Sequence, residues 1–144
     1  MHVKDVLAHK GAAVATVTPG ALITEVIAAL AEHHVGALVV TSDGRTIEGI
    51  VSERDVVRAL HTRGAELLGT QVSEIMTVNV LTSSPGDEVR SLAKTMTEKR
   101  FRHMPVVVDG ALAGIVTIGD IVKNRLDELE TEHDQLVDYI SSTG

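Results

Sequence analysis

Two short strings in this chain set a hydroxyl and a carboxylate three residues apart: Ser52-Glu53-Arg54-Asp55 and Thr117-Ile118-Gly119-Asp120. Each follows an apolar Gly-Ile-Val run, at Gly49-Ile50-Val51 and Gly114-Ile115-Val116, where a strand gives way to a helix start. Two kinds of chemistry suit such a pair. One is capping: a Ser or Thr N-cap accepts a bond from a backbone N–H two or three residues on, and an acid in the first turn suits the helix dipole. The other is nucleotide binding. A helix N-terminus offers free N–H groups and a positive dipole end to phosphate, and an acid one turn in can accept both hydroxyls of a ribose. Arg54 adds a fixed cation for phosphate in the first string, where the second has Gly119. Neither aspartate brings a partner base, and no nucleophile elbow, P-loop or HExxH motif is present. No residue is assigned a catalytic role.

The strings belong to a longer repeat. Thr18-Pro19-Gly20, Ser42-Asp43-Gly44 and Gly49-Ile50-Val51 recur as Ser84-Pro85-Gly86, Val108-Asp109-Gly110 and Gly114-Ile115-Val116, 66 residues on and then 65. A register held this long, with one deletion in a turn, means two copies of one folding unit. Solenoids need at least three stacked repeats, so two copies are expected to pair face to face around a pseudo-two-fold axis.

The elements that carry the strings follow from periodicity. Val26, Ile27, Leu30 and Val35 make the apolar stripe of a helix starting near Thr24. Ala37–Val40 reads as a buried strand, Asp43-Gly44 as a hairpin turn, Ile47–Val51 as the returning strand, and a helix follows from Glu53. The second copy repeats this with a helix over 87–100 on Val89, Leu92 and Met96, strands at Met104–Val108 and Leu112–Val116, and a helix from Ile118. A helix over Val3–His9 and a strand over Val14–Val17 precede the first copy. The connection contains a helical piece at Val72–Met76 and a strand at Val78–Leu81. The expected division is 3–63 for the first repeat, 64–83 for the connection, 84–125 for the second repeat and 126–144 for a helical extension.

Composition narrows the function. The 144 residues hold one Phe, one Tyr and no Trp, and the net charge is −7. Stacking platforms for bases and basic faces for phosphate backbones are both missing, so nucleic acid is an unlikely partner. No cysteine is present, which excludes disulfides and thiolate metal sites. His33 and His34 project about 100° apart on a helix and cannot readily share one ion, so no metal site is assigned. The N-terminus lacks a signal-peptide core and no run reaches membrane-spanning length. A cytoplasmic protein without membrane contact is expected.

The paired pattern of Pro-Gly, helix, Leu38-Val39-Val40 or Met104-Pro105-Val106-Val107, Asp-Gly and Gly-Ile-Val-[Ser/Thr]-x-x-Asp closely resembles the tandem cystathionine-β-synthase-type (CBS) domain pair. The match covers roughly residues 3–125. The resemblance implies an α/β (α+β) Bateman module: two β-α-β-β-α units packed by their sheets as a pseudo-two-fold pair, with clefts for adenosyl compounds such as AMP, ADP, ATP or NAD. It implies a regulatory ligand rather than a required cofactor, and often a homodimer. Carried over by residue, Asp55 and Asp120 would hold ribose hydroxyls, and Ser52 and Thr117 would meet ribose or phosphate. Val35-Gly36-Ala37 and Phe101-Arg102-His103 would wall the clefts, with Arg100, Arg102 and His103 supplying charge to the second. The expected function is a non-enzymatic nucleotide sensor acting on an effector protein; the alternative is a scaffold with vestigial clefts.

One feature lies beyond the repeat. Val122, Leu126, Leu129, His133, Leu136 and Ile140 step by heptad spacing. Residues 127–138 add six acids with no Lys or Arg, while residues 1–126 are nearly neutral. This helix is expected to take part in assembly.

Overall fold

The structure is a computed structural model that describes residues 1–143; Gly144, the end of the expected extension, lies outside them. The duplicated sequence becomes a duplicated fold. In the first unit, β1 (Thr16–Val17) pairs parallel with β2 (Ala37–Val40), which pairs antiparallel with β3 (Gly49–Ser52). The parallel pair needs a crossover, supplied by α2 (Ile23–His33). Ile23, Val26 and Leu30 bury the inner face of α2, and all four residues of β2 are buried, which is why that strand is a continuous apolar run. β3 runs straight into α3 (Glu53–Arg63), and two short 3-10 turns follow at Gly64–Gly69 and Val72–Glu74.

The second unit has α4 (Val89–Lys99), β4 (His103–Val108), β5 (Ala111–Thr117) and α5 (Ile118–Thr143). α2 and α4 end alike, on left-handed residues His34 (φ 53°) and Arg100 (φ 58°) that turn the chain back toward the sheet. The strand-to-helix junctions also match. Glu53 N–H donates to the Gly36 carbonyl and Ile118 N–H to the Arg102 carbonyl, both at 2.9 Å.

The two cores are closed crosswise. The first gathers Ile23, Leu38, Val40 and Val51 with Leu67 and Val72 of the connecting segment. The second gathers Leu92, Met96, Val106 and Val116 with Val3 and Val6 of α1 (Val3–Lys10), the helix that opens the chain. The glycines that begin the Gly-Ile-Val runs make this possible. A Cβ on Gly49 would fall 2.6 Å from Met76 Sδ, and one on Gly114 would fall 2.8 Å from Leu7 Cδ2.

Two elements differ from expectation. Residues 78–81 form no strand; the pairing residue is Ser83, which donates to the Pro105 carbonyl at 2.9 Å and accepts from Val107 N–H at 2.8 Å. Val78 and Leu81 are β-prone but exposed, and without a ladder partner propensity decides nothing. The turn at Asp109-Gly110 is a two-residue hairpin with both residues left-handed (φ 51° and 77°). The first Asp-Gly instead opens a longer loop, held where Asp43 Oδ1 accepts from the N–H groups of Arg45 (2.8 Å) and Thr46 (2.7 Å).

α5 carries the expected heptad seam. Ile121 and Asn124 face the core, whereas Val122, Leu126, Leu129, Leu136 and Ile140 remain 43–60% exposed. Among the described residues, no helix is long and apolar enough to cross a membrane.

Candidate functional site

At both junctions the capping chemistry is realised. Ser52 sits in extended backbone as the N-cap of α3, and its Oγ accepts from Asp55 N–H at 3.2 Å. Asp55 Oδ2 accepts in return from Ser52 N–H at 2.8 Å and Ser52 Oγ–H at 3.0 Å. Thr117 and Asp120 repeat the exchange, with N–H to Oδ2 at 2.9 Å and N–H to Oγ1 at 3.1 Å. Capping therefore fixes each carboxylate at the mouth of its strand and engages one of its oxygens. Among the described residues, Asp55 Oδ1 has no hydrogen-bond donor.

The surroundings of the two aspartates differ. Asp55 opens onto a cleft of about 270 Å³ that draws on both repeats. Gly36, Ala37, Ile50, Ser52 and Arg54 come from the first repeat, and Arg100, Phe101, Arg102 and His103 from the second. Asp120 is instead bound by the ammonium of Lys10, with Nζ 2.6 Å from Oδ2. Burial by itself would raise the Asp120 carboxyl, but Lys10 and the Thr117 N–H hold it below the ordinary carboxylate range.

Of the sequence-assigned residues, Gly36, Ala37, Ser52, Arg54, Asp55, Phe101, Arg102 and His103 thus meet in one cleft. Val35, Thr117 and Asp120 are not part of its lining. The sequence grouped Phe101-Arg102-His103 with its own copy's Asp120; the packing of the two units also brings that turn to Asp55. The connecting segment supplies a further wall. Ile50 and Thr77 exchange backbone bonds at 3.0 and 2.9 Å, and Asn79, Val80 and Leu81 continue along the cleft.

Arg58 lines the cleft as well and was missed from the sequence. Its spacing was a usable signal, since it stands one turn beyond Arg54 on the same face of α3. Arg54, Arg58, Arg100 and Arg102 thus converge on one space, and no ion pair engages any of them among the described residues. A second, more open depression of about 290 Å³ adjoins it, sharing Arg54, Arg100, Phe101 and Arg102 and bounded by Met96 and Ile118.

Gly36 lies against His103 and Glu53; a Cβ there would fall 3.2 Å from the imidazole Nε2 and 3.3 Å from Glu53 Oε1. Burial lowers the pKa of His103, and the Glu53 carboxylate opposes this. The cations of Lys10 and Arg102 reinforce the lowering and Asp120 opposes it, so the ring is neutral at neutral pH.

The CBS domain family model matches residues 3–62 and 72–127. Among curated proteins, the mitochondrial CBS domain-containing protein CBSX3 of Arabidopsis thaliana is 34% identical over 82% of the chain, which spans 59% of that relative's length. Among solved structures, the CBS-domain containing protein ATU1752 from Agrobacterium tumefaciens is 44% identical with a TM-score of 0.84, covering 87% of this chain and 99% of that one. The CBS domain protein PAE2072 from Pyrobaculum aerophilum, complexed with AMP, is 28% identical with a TM-score of 0.74, covering 83% and 89%.

Proposed function

The chain belongs to the CBS-domain family as a tandem pair, and from that premise we propose that it senses adenine nucleotides through the cleft at Asp55. One observation carries this reading: four guanidiniums that no ion pair engages among the described residues face the same space as a carboxylate with a spare oxygen. Guanidinium clusters match phosphate and a carboxylate matches vicinal ribose hydroxyls, so the complement is a phosphorylated nucleoside. Ala37, Ile50, Val80 and Leu81 give the base an apolar wall. The AMP complex of PAE2072 supports the adenosyl class.

Charge refines the choice. With Asp55 engaged by ribose, four arginines face only Glu53 as a further acid in the lining. ADP or ATP balances that excess better than AMP, and the adjoining depression gives a longer phosphate chain room. The protein acts as a regulatory module without catalysis, in a soluble compartment, and passes its state to an effector protein. The exposed seam of α5 is the surface through which copies of the chain, or that effector, assemble.

A thermal-shift panel of adenosine, AMP, ADP, ATP, NAD and S-adenosylmethionine tests this reading. A ligand present at about a hundred times its Kd adds about 2.7 kcal/mol to native stability and raises Tm. No shift with any member at millimolar concentration would favour a scaffold whose clefts are vestigial.

A further inference from the structure

The two aspartates invite the expectation of two nucleotide sites, but the second already holds an ammonium on its Oδ2. Lys10, the last residue of α1, reaches across to the other repeat. Its Nζ donates to Asp120 Oδ2 at 2.6 Å and to the Ile115 carbonyl at 3.0 Å. The contact is sheltered, with the Lys10 and Asp120 side chains 28% and 21% exposed. At the equivalent place in the first repeat, the Ile50 carbonyl accepts from Thr77 N–H, a backbone group that leaves Asp55 untouched. The difference has a local cause. α1 ends at Gly11, whose N–H caps the helix on the Leu7 carbonyl rather than pairing with β5. The Ile115 carbonyl is thereby left to the lysine. Leu7, packed against Gly114, anchors the same turn of α1.

We propose that Lys10 is an internal occupant of the second cleft, so that each chain takes one adenosyl ligand, at Asp55, and not two. The ammonium holds Asp120 Oδ2, so a ribose approaching that carboxylate meets a bound cation and finds only Oδ1 without a donor among the described residues. A ligand entering there must first break a charge-assisted bond in a sheltered place. Lys10 thereby sets the number of sites, an inference that rests on the nucleotide reading of the first cleft.

The test is the stoichiometry of ATP binding by isothermal titration calorimetry, on the full chain and on Lys10→Met, which keeps the aliphatic stem over β5. The expected values are one ATP per wild-type chain and two per Lys10→Met chain. Asp55→Asn is expected to lose the site of the wild type, and the double variant Lys10→Met/Asp55→Asn to retain one. Two ATP per wild-type chain, or one per folded Lys10→Met chain, would overturn the proposal. Should Lys10→Met unfold, Lys10→Gln serves with the same two outcomes. Absence of any binding to the wild type would instead refute the nucleotide reading itself.

Discussion

Asp55 and Asp120 are counterparts in the repeat with the same bond to the backbone N–H of their caps, yet only Asp120 carries a lysine, 2.6 Å from its Oδ2. Asp120 is thus tied to α1 by an ion pair that Asp55 lacks. The difference should be measurable without any ligand.

Asp120→Asn is expected to destabilise the protein by about 1–2 kcal/mol, and Asp55→Asn by about 0.5–1 kcal/mol, the loss of a cap alone. Chemical denaturation at neutral pH checks the order. The Asp120 carboxyl is held below its ordinary value, so its contribution is complete above about pH 4, the unfolded value, and is lost as pH falls through the lower folded value. The deficit of Asp120→Asn is therefore expected to shrink under acid.

The arginine cluster predicts how affinity depends on phosphate. ATP should bind at least about tenfold more tightly than adenosine at low salt, with the gain shrinking as salt rises. Arg54→Gln and Arg102→Gln are each expected to weaken ATP by about 5–30-fold while leaving adenosine within about twofold. Equal losses for the two ligands, measured by calorimetry, would remove those residues from the phosphate site.

His103 introduces a second pH dependence. Its folded pKa is lowered, chiefly by burial, so the unfolded chain binds the extra proton first as pH falls. Stability is then expected to fall as pH drops from about 6.5 toward the lower folded value. His103→Gln should flatten that slope. Glu53→Gln, which removes the carboxylate favouring the imidazolium, should extend it to lower pH. Urea denaturation at intervals across this range reads all three proteins.

Much of this was legible because the sequence prints the same unit twice. Gly-Ile-Val-[Ser/Thr]-x-x-Asp marks where each returning strand ends and each helix begins, and both junctions fall there. What the copies could not reveal is how they pack. Arg102 and His103 line a cleft with Asp55 because two units face each other, which no spacing within one copy expresses. Lys10 and Asp120 are 110 residues apart and occur once, so neither periodicity nor repetition points to them. The strand expected at 78–81 failed for a related reason. Its residues are β-prone, but the ladder partner that decides pairing meets Ser83.

The exposed α5 seam leads to a prediction about assembly. Val122, Leu126, Leu129 and Leu136 are exposed on the isolated chain, and burying such a side chain contributes about 1.5–3 kcal/mol. The protein is expected to be a homodimer that dissociates on truncation after Arg125, as read by multi-angle light scattering. A truncated chain that stays dimeric would move the interface to the exposed Ile27, Val57 and Leu60 of α2 and α3.

The most direct test of the account is an equilibrium titration of ATP into the wild type and Asp55→Asn under identical conditions. The wild type is expected to bind, and the variant, still folded by circular dichroism, to bind at least about tenfold more weakly, since a ribose would lose its charged acceptor. Binding of equal strength in both proteins would contradict the assignment of the cleft at Asp55 as the nucleotide site.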